Sequence, residues 1–134
     1  MRKFTAVVDT NVLVSSLWGG APGKVIKKWD EGVFLSAVSP EILEEYISVI
    51  SRFDINREEL DDFVMLFLNP AKCIFAAPRK KINLITKDPA DNKFLECALA
   101  AKADYIVSDD RHLLEIKQFM KTKIIPPAEF LKKL

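Results

Sequence analysis

The chain has 134 residues, 49% hydrophobic and 29% charged, a balance that supports one ordinary folded core and excludes a disordered or fibrous chain. A formal net charge of +1 excludes a general coat of nucleic-acid-binding charge and leaves room only for a local basic patch. No uncharged stretch approaches the roughly 20 apolar residues of a membrane span.

Asp9 and Asn11 interrupt the apolar run that follows Met1-Arg2-Lys3 before it can serve as an export signal, so the expected location is the cytoplasm. Cys73 and Cys97 lie in apolar runs and read as buried free thiols. With His112 as the sole histidine, they are too few for a zinc site.

Residues 4–8 read as a buried strand ending at Asp9. Residues 11–17 start a short helix that Gly19-Gly20-Ala21-Pro22-Gly23 interrupts, and residues 24–31 form a helix closed by Gly32. A second strand spans 33–38. Ser39 caps the next helix, with Pro40 in its first turn and apolar residues at helical spacing through 41–50. Asn56 and Glu59 have capping-box spacing before a helix that runs to residue 68 and is stopped by Asn69-Pro70. Residues 73–76 form a short strand, and Asp88-Pro89 opens a helix to residue 102. A strand at 105–107, a helical turn at 111–114, a strand at 124–125 and a helix after Pro126-Pro127 complete the chain. Strands alternating with helices predict an α/β fold, a three-layer α/β/α sandwich with a mainly parallel central sheet. The absence of repeats and linkers predicts a single domain over 1–134.

The informative residues are acids. Asp9 follows the first strand, Asp88 and Asp91 start the helix before the 105–107 strand, and Asp109 and Asp110 follow that strand. In an open parallel sheet the carboxyl ends of the strands face one crevice, so these acids converge. Any one Asp at such a place reads as a helix cap, and Asp88 before Pro89 reads so. The group reads differently. A charge beside a buried strand is costly unless partnered, and crowded carboxylates repel unless a cation neutralises them. Hard divalent ions take oxygen ligands and activate water toward phosphodiesters.

Other phosphate and hydrolase patterns fit less well. Gly23-Lys24 lacks the upstream glycine of a P-loop, where Trp18 stands, and Val25 replaces its Ser/Thr. Asp9-Thr10-Asn11 lacks the second aspartate of an aspartyl phosphatase. His112 has no serine or cysteine partner in an elbow-like context and reads as a surface residue.

Val7-Val8-Asp9-Thr10-Asn11-Val12-Leu13-Val14-Ser15 resembles the opening of PIN-domain nucleases, particularly the VapC-like toxins of toxin–antitoxin pairs. Ser39-Pro40-Glu41-Ile42-Leu43-Glu44-Glu45-Tyr46, Asp88-Pro89-Ala90-Asp91-Asn92-Lys93-Phe94-Leu95 and Ala103-Asp104-Tyr105-Ile106-Val107-Ser108-Asp109-Asp110-Arg111-His112-Leu113-Leu114 resemble the second, third and fourth blocks of that family. Pro126-Pro127-Ala128-Glu129-Phe130-Leu131 is similar to its ending. The resemblance implies an acidic quartet, Asp9, Glu45, Asp91 and Asp110, around Mg²⁺ or Mn²⁺, with Asp9, Asp91 and Asp110 as metal ligands. It further implies Asn11 and Ser108 as polar supports, cleavage of single-stranded RNA, a homodimer, and an antitoxin partner.

Glu44 and Glu45 are adjacent, and on a helical wheel Glu45 lies nearer the apolar sector of Ile42, Tyr46 and Val49. Asp109 departs from the family pattern, where glycine is common; it either binds metal, weakens metal affinity by repulsion, or caps the turn at Arg111. Arg79, Lys80, Lys81 and Lys87 form a basic stretch that either contacts phosphates or belongs to a solvated hairpin. Trp18 and Trp29 flank the glycine-rich segment and either stack bases or pack in the core or a dimer contact. The rival functions are a housekeeping RNA-processing nuclease on the same fold and a PIN-like domain that binds nucleic acid without cleaving.

Overall fold

A computed structural model describes residues 2–134. In chain order the elements are β1 (Thr5–Val8), α1 (Thr10–Ser15), α2 (Gly20–Asp30), β2 (Leu35–Val38), α3 (Pro40–Ile50), α4 (Arg57–Leu68) and β3 (Cys73–Phe75). There follow α5 (Asn92–Ala101), β4 (Tyr105–Val107), α6 (Arg111–Leu114), β5 (Gln118–Phe119), β6 (Thr122–Ile125) and α7 (Pro127–Leu131). Tight 3₁₀ turns at Ser16–Trp18 and Pro89–Asp91 extend α1 and precede α5.

The strands form one sheet in the order β3-β2-β1-β4-β6-β5. Every neighbouring pair is parallel except the β5–β6 hairpin. With helices packed on the sheet this is the three-layer α/β sandwich that the alternation predicts.

The sheet runs outward from β1 to β3, then restarts at β4 on the other side of β1. The order therefore reverses between β1 and β4, and the carboxyl ends of these two strands border the crevice where open α/β sheets bind ligands. Their register is fixed by Ala6, Val7 and Val8 opposite Tyr105, Ile106 and Val107. The ladder continues one residue further: Asp9 N–H donates to the Val107 carbonyl at 2.9 Å, and Ser108 N–H to Ile125 at 3.0 Å. Asp9 and Ser108 thus stand on backbone that the sheet holds rigid.

The apolar strand runs are buried as their composition dictates, since parallel strands are covered on both faces: β1 and β4 are buried throughout. Trp29, Phe34, Tyr46, Phe94 and Phe130 are the largest fully buried side chains, each contributing about 1.5–3 kcal/mol of transfer free energy. Trp29 donates its indole N–H to the Lys72 carbonyl at 2.8 Å. It is a core residue, the packing role that the sequence leaves open, and is not available to stack bases or to line an exposed dimer patch.

Three further differences from the sequence reading have local causes. The glycine-rich segment breaks the first helix at Gly19 as expected, but from Gly20 onward it already belongs to α2, which the sequence reading starts at Lys24. Gly19 and Gly20 take φ of 84° and 66°, where a side chain would be strained, and Pro22 falls in the first turn, where its missing N–H costs nothing. Asp88 is not a side-chain cap. The following proline restricts it to extended backbone, and its main-chain carbonyl, not its carboxylate, accepts the Asp91 N–H at 3.0 Å. The β5–β6 hairpin has no counterpart in the sequence reading because its left-handed residues are Lys117 and Met120, at φ 66° and 53°. No glycine marks the bend.

Candidate active site

Asp9 ends β1 with 4% of its surface exposed. It stands at the N-terminus of α1, yet its carboxylate makes no capping hydrogen bond there. It instead accepts the Ser108 hydroxyl at 2.6 Å. Ser108, fully buried after β4, also accepts the Asp110 N–H at 2.9 Å. Burial pushes the Asp9 carboxyl up to about 6. The Ser108 bond and the Asn11 N–H oppose that rise, and the charges of Asp110 and Glu45 add to it.

Asp91 closes the 3₁₀ turn ahead of α5, and Asp110 begins α6, where it caps the His112 N–H at 3.1 Å. Burial, a carboxyl–carboxyl hydrogen bond to Asp110, and the charges of Asp88, Asp110 and Asp9 raise Asp91 well above the usual carboxylate range. The same contact holds Asp110 below it. Crowding of this kind favours proton retention on Asp91. Such retention is what crowded acids do when no cation neutralises them.

Glu45 reaches the crevice from α3, whereas Glu44 is exposed. Thr10, buried at the start of α1, donates its hydroxyl to Glu45 Oε2. Lys93 Nζ meets Glu45 Oε1 at 2.5 Å. One residue on, the Tyr46 hydroxyl donates to the Val8 carbonyl, tying α3 to the end of β1. Asn92 accepts the Ile85 N–H at 2.9 Å and donates to the Ile85 and Pro89 carbonyls at 2.9 and 3.1 Å. That clamp fixes the turn carrying Asp91.

Thr10, Tyr46, Asn92 and Lys93 had no role in the sequence reading. Lys93 alone offered a signal, a cation in the first turn of a helix, where the helix dipole disfavours it.

The remaining residues are placed less centrally. Asn11 is exposed and its side chain makes no hydrogen bond among the described residues; it influences Asp9 through its backbone. Asp109 is exposed, and the cap at α6 falls to Asp110, not to it. Arg79, Lys80, Lys81 and Lys87 are all exposed. Lys81 is engaged by Glu41 at 3.2 Å and Glu96 at 4.0 Å. Lys87 lines a shallow hollow of about 260 Å³ with Leu84, Thr86 and His112, close in sequence to Asp88 and Asp110. A larger cavity of about 810 Å³ lies between α2 and α4, lined by Leu17, Ile26, Phe63 and Leu66. It contains none of the four acids.

Among the described residues no three Asp, Glu, His or Cys side chains are already gathered into a ligand cage. The donor chemistry nevertheless fits a hard divalent cation. Asp9, Asp91 and Asp110 offer carboxylate oxygens that influence one another electrostatically, and the crowding and burial that raise Asp9 and Asp91 are what a bound cation would relieve.

A doubly wound sandwich with acids collected at the β1–β4 reversal is the arrangement of a nuclease-type α/β domain. A family model described as the PIN domain matches residues 5–112, a span containing all four acids, and the chain belongs to that family, whose members are generally nucleases. An uncharacterized protein of Methanocaldococcus jannaschii is 26% identical over 144 aligned positions, covering 96% of this chain and 90% of its own. In the crystal structure of VapBC2 from Rickettsia felis bound to a DNA fragment from their promoter, one chain shares the fold with a TM-score of 0.57. Its identity is 12%, over 90% of this chain and 97% of that one.

Proposed function

We propose that this chain is a divalent-metal-dependent endoribonuclease that cleaves single-stranded RNA, acting in the cytoplasm as the toxin of a toxin–antitoxin pair, with residues 1–134 as one nuclease unit. The observation that supports this reading is the junction of Asp9, at the end of β1, with Asp110, after β4, through the Ser108 hydroxyl, with burial raising Asp9 and Asp91 above the usual carboxylate range.

In this reading Asp9, Asp91 and Asp110 hold Mg²⁺ or Mn²⁺. The bound ion supplies activation of water and stabilisation of charge on the phosphodiester. Ser108 sets the orientation of the Asp9 carboxylate and, through the Asp110 N–H, that of the second acid. Asn92 holds the turn that presents Asp91. Glu45 borders the three acids with both oxygens engaged. The exposed side chain of Asn11 stands at the mouth, able to contact water or substrate. Arg79, Lys80 and Lys87 provide charge for backbone phosphates, and Lys81 does so only by leaving Glu41 and Glu96.

The toxin role is supported by the likeness of fold to a chain of the VapBC2 complex. It calls for an antitoxin that covers the crevice. A homodimer is supported by an exposed apolar surface: Trp18, Met65 and Leu68 are 68%, 67% and 71% exposed, a large outlay of apolar area for a lone chain. The test is incubation of a mixed RNA pool with the protein in Mg²⁺, in Mn²⁺ and in EDTA. Cleavage that requires the metal and is lost in Asp9→Asn is expected; cleavage undiminished by EDTA overturns the reading.

A further inference from the structure

Lys93 stands where a lysine has least reason to be. It is the second residue of α5, so its charge opposes the helix dipole. Its side chain is 14% exposed, against 27% for Lys72, the next least exposed cation in the described ion pairs. Its Nζ lies 5.9 Å from the Phe94 ring centroid. Burying an ammonium in such surroundings is unfavourable without a close partner, and Glu45 is that partner at 2.5 Å.

The other oxygen of Glu45 accepts the buried Thr10 hydroxyl. Both oxygens of this acid are therefore engaged by groups of the chain itself. The acids divide into two sets. Asp9 and Asp110 meet through Ser108, and neither they nor Asp91 makes an ion pair among the described residues, whereas Glu45 is ion-paired to Lys93.

We propose that Lys93 is a built-in counter-cation and positioning residue of the crevice: with Thr10 it holds Glu45 out of ligation, so that one divalent ion binds per chain, at Asp9, Asp91 and Asp110. This rests on the metal-dependent reading above. Lys93 acts through Glu45, keeping the carboxylate fixed at the edge of the site and standing where a second metal ion would otherwise be drawn.

The test is calorimetric titration of Mn²⁺ into the full chain without RNA, for the wild type, Lys93→Met, Glu45→Gln and the double variant. The wild type should bind one ion. Lys93→Met frees a carboxylate and should tighten Mn²⁺ binding by at least about tenfold, the direction Coulomb's law requires. Glu45→Gln strands the ammonium and should weaken binding while leaving one ion bound. The double variant should return to within about threefold of the wild type, because the two effects belong to one pair.

Two ions on the wild type, unchanged or weaker binding in folded Lys93→Met, or a double variant as weak as Glu45→Gln overturns the proposal. If Lys93→Met does not fold, Glu45→Gln decides: abolished binding makes Glu45 a ligand and overturns the proposal, and retained one-ion binding supports it. A wild type that binds no Mn²⁺ overturns the metal-dependent reading itself, and this inference with it.

Discussion

The Ser108 hydroxyl and the Asp9 carboxylate are joined by a 2.6 Å hydrogen bond across 99 residues of sequence, and the same serine oxygen receives the Asp110 N–H. The hydroxyl favours the ionised form of Asp9, opposing the burial that raises it to about 6. Ser108→Ala removes that opposition, so Asp9 should hold its proton to still higher pH. RNA cleavage should fall about threefold near pH 6.5 and hardly at all near pH 8.5, as expected of a carboxyl that needs a pH about one unit higher to ionise. A pH–rate profile checks this. A loss equal at every pH would assign Ser108 a merely structural role.

Asp9→Asn should abolish cleavage and change the pH dependence of stability. The folded carboxyl titrates near 6 and the unfolded one near 3.8, so the folded chain keeps a proton that the unfolded chain has lost. Stability of the metal-free wild type therefore declines as pH rises from 3.8 to about 6. The full decline is up to about 3 kcal/mol for this nearly buried group. Asparagine carries no such liability. In EDTA the variant should melt higher than the wild type at pH 8 and equally at pH 3.5. Saturating Mn²⁺ should raise the Tm of the wild type and do much less for the variant. Thermal melts in these three conditions check both halves; a variant melting lower at pH 8 in EDTA contradicts the assignment of burial as the dominant cause.

Metal binding should release protons. Burial and its acidic neighbours raise Asp91 to about 8, so it favours its proton at pH 7, and ligands to a divalent ion must be deprotonated. Titrating Mn²⁺ at pH 7 in buffers of different ionisation enthalpy should report release of about one proton per ion. Asp91→Asn should remove most of it. Equal apparent enthalpies in all buffers would mean that Asp91 is already fully ionised.

The apolar surface beside the glycine turn should mediate self-association. Leu60, Val64 and Leu68 recur at every fourth residue of α4 and are all exposed, forming one stripe. Trp18 packs edge-on against Phe53 with ring centroids 5.4 Å apart and remains 68% exposed. A dimer by light scattering at micromolar concentration is expected, with Trp18→Ser/Leu68→Ser monomeric and unchanged in secondary structure. A wild type that stays monomeric as concentration rises removes this surface from the dimer reading.

The legible parts of the molecule were those written in local pattern. The buried run before Asp9, the caps at Ser39 and Asn56, and the alternation of strands with helices yield the sheet and its helices, because each depends on residues within a turn or two. The convergence of Asp9 with Asp110 was also legible, since it follows from the topology of parallel sheets. The partners of the acids were not. Thr10 and Lys93 meet Glu45 from 35 and 48 residues away, and Asn92 grips a loop with no periodicity of its own. Side-chain contacts at that range leave no mark in spacing. The direction of Trp29 was equally hidden, because its indole is fixed by a carbonyl at Lys72 on a segment 43 residues distant.

The pairing of β1 with β4 has a consequence for the life of a newly made chain. Asp9 emerges from the ribosome almost at once, but the backbone that fixes it is at Val107, and its hydroxyl partner is Ser108. Until residues 105–110 have been translated, the first acid has neither its neighbour strand nor Ser108 and Asp110 beside it. A chain that stops short of β4 therefore carries no assembled crevice. The topology makes assembly of the crevice a late event, one that waits for β4.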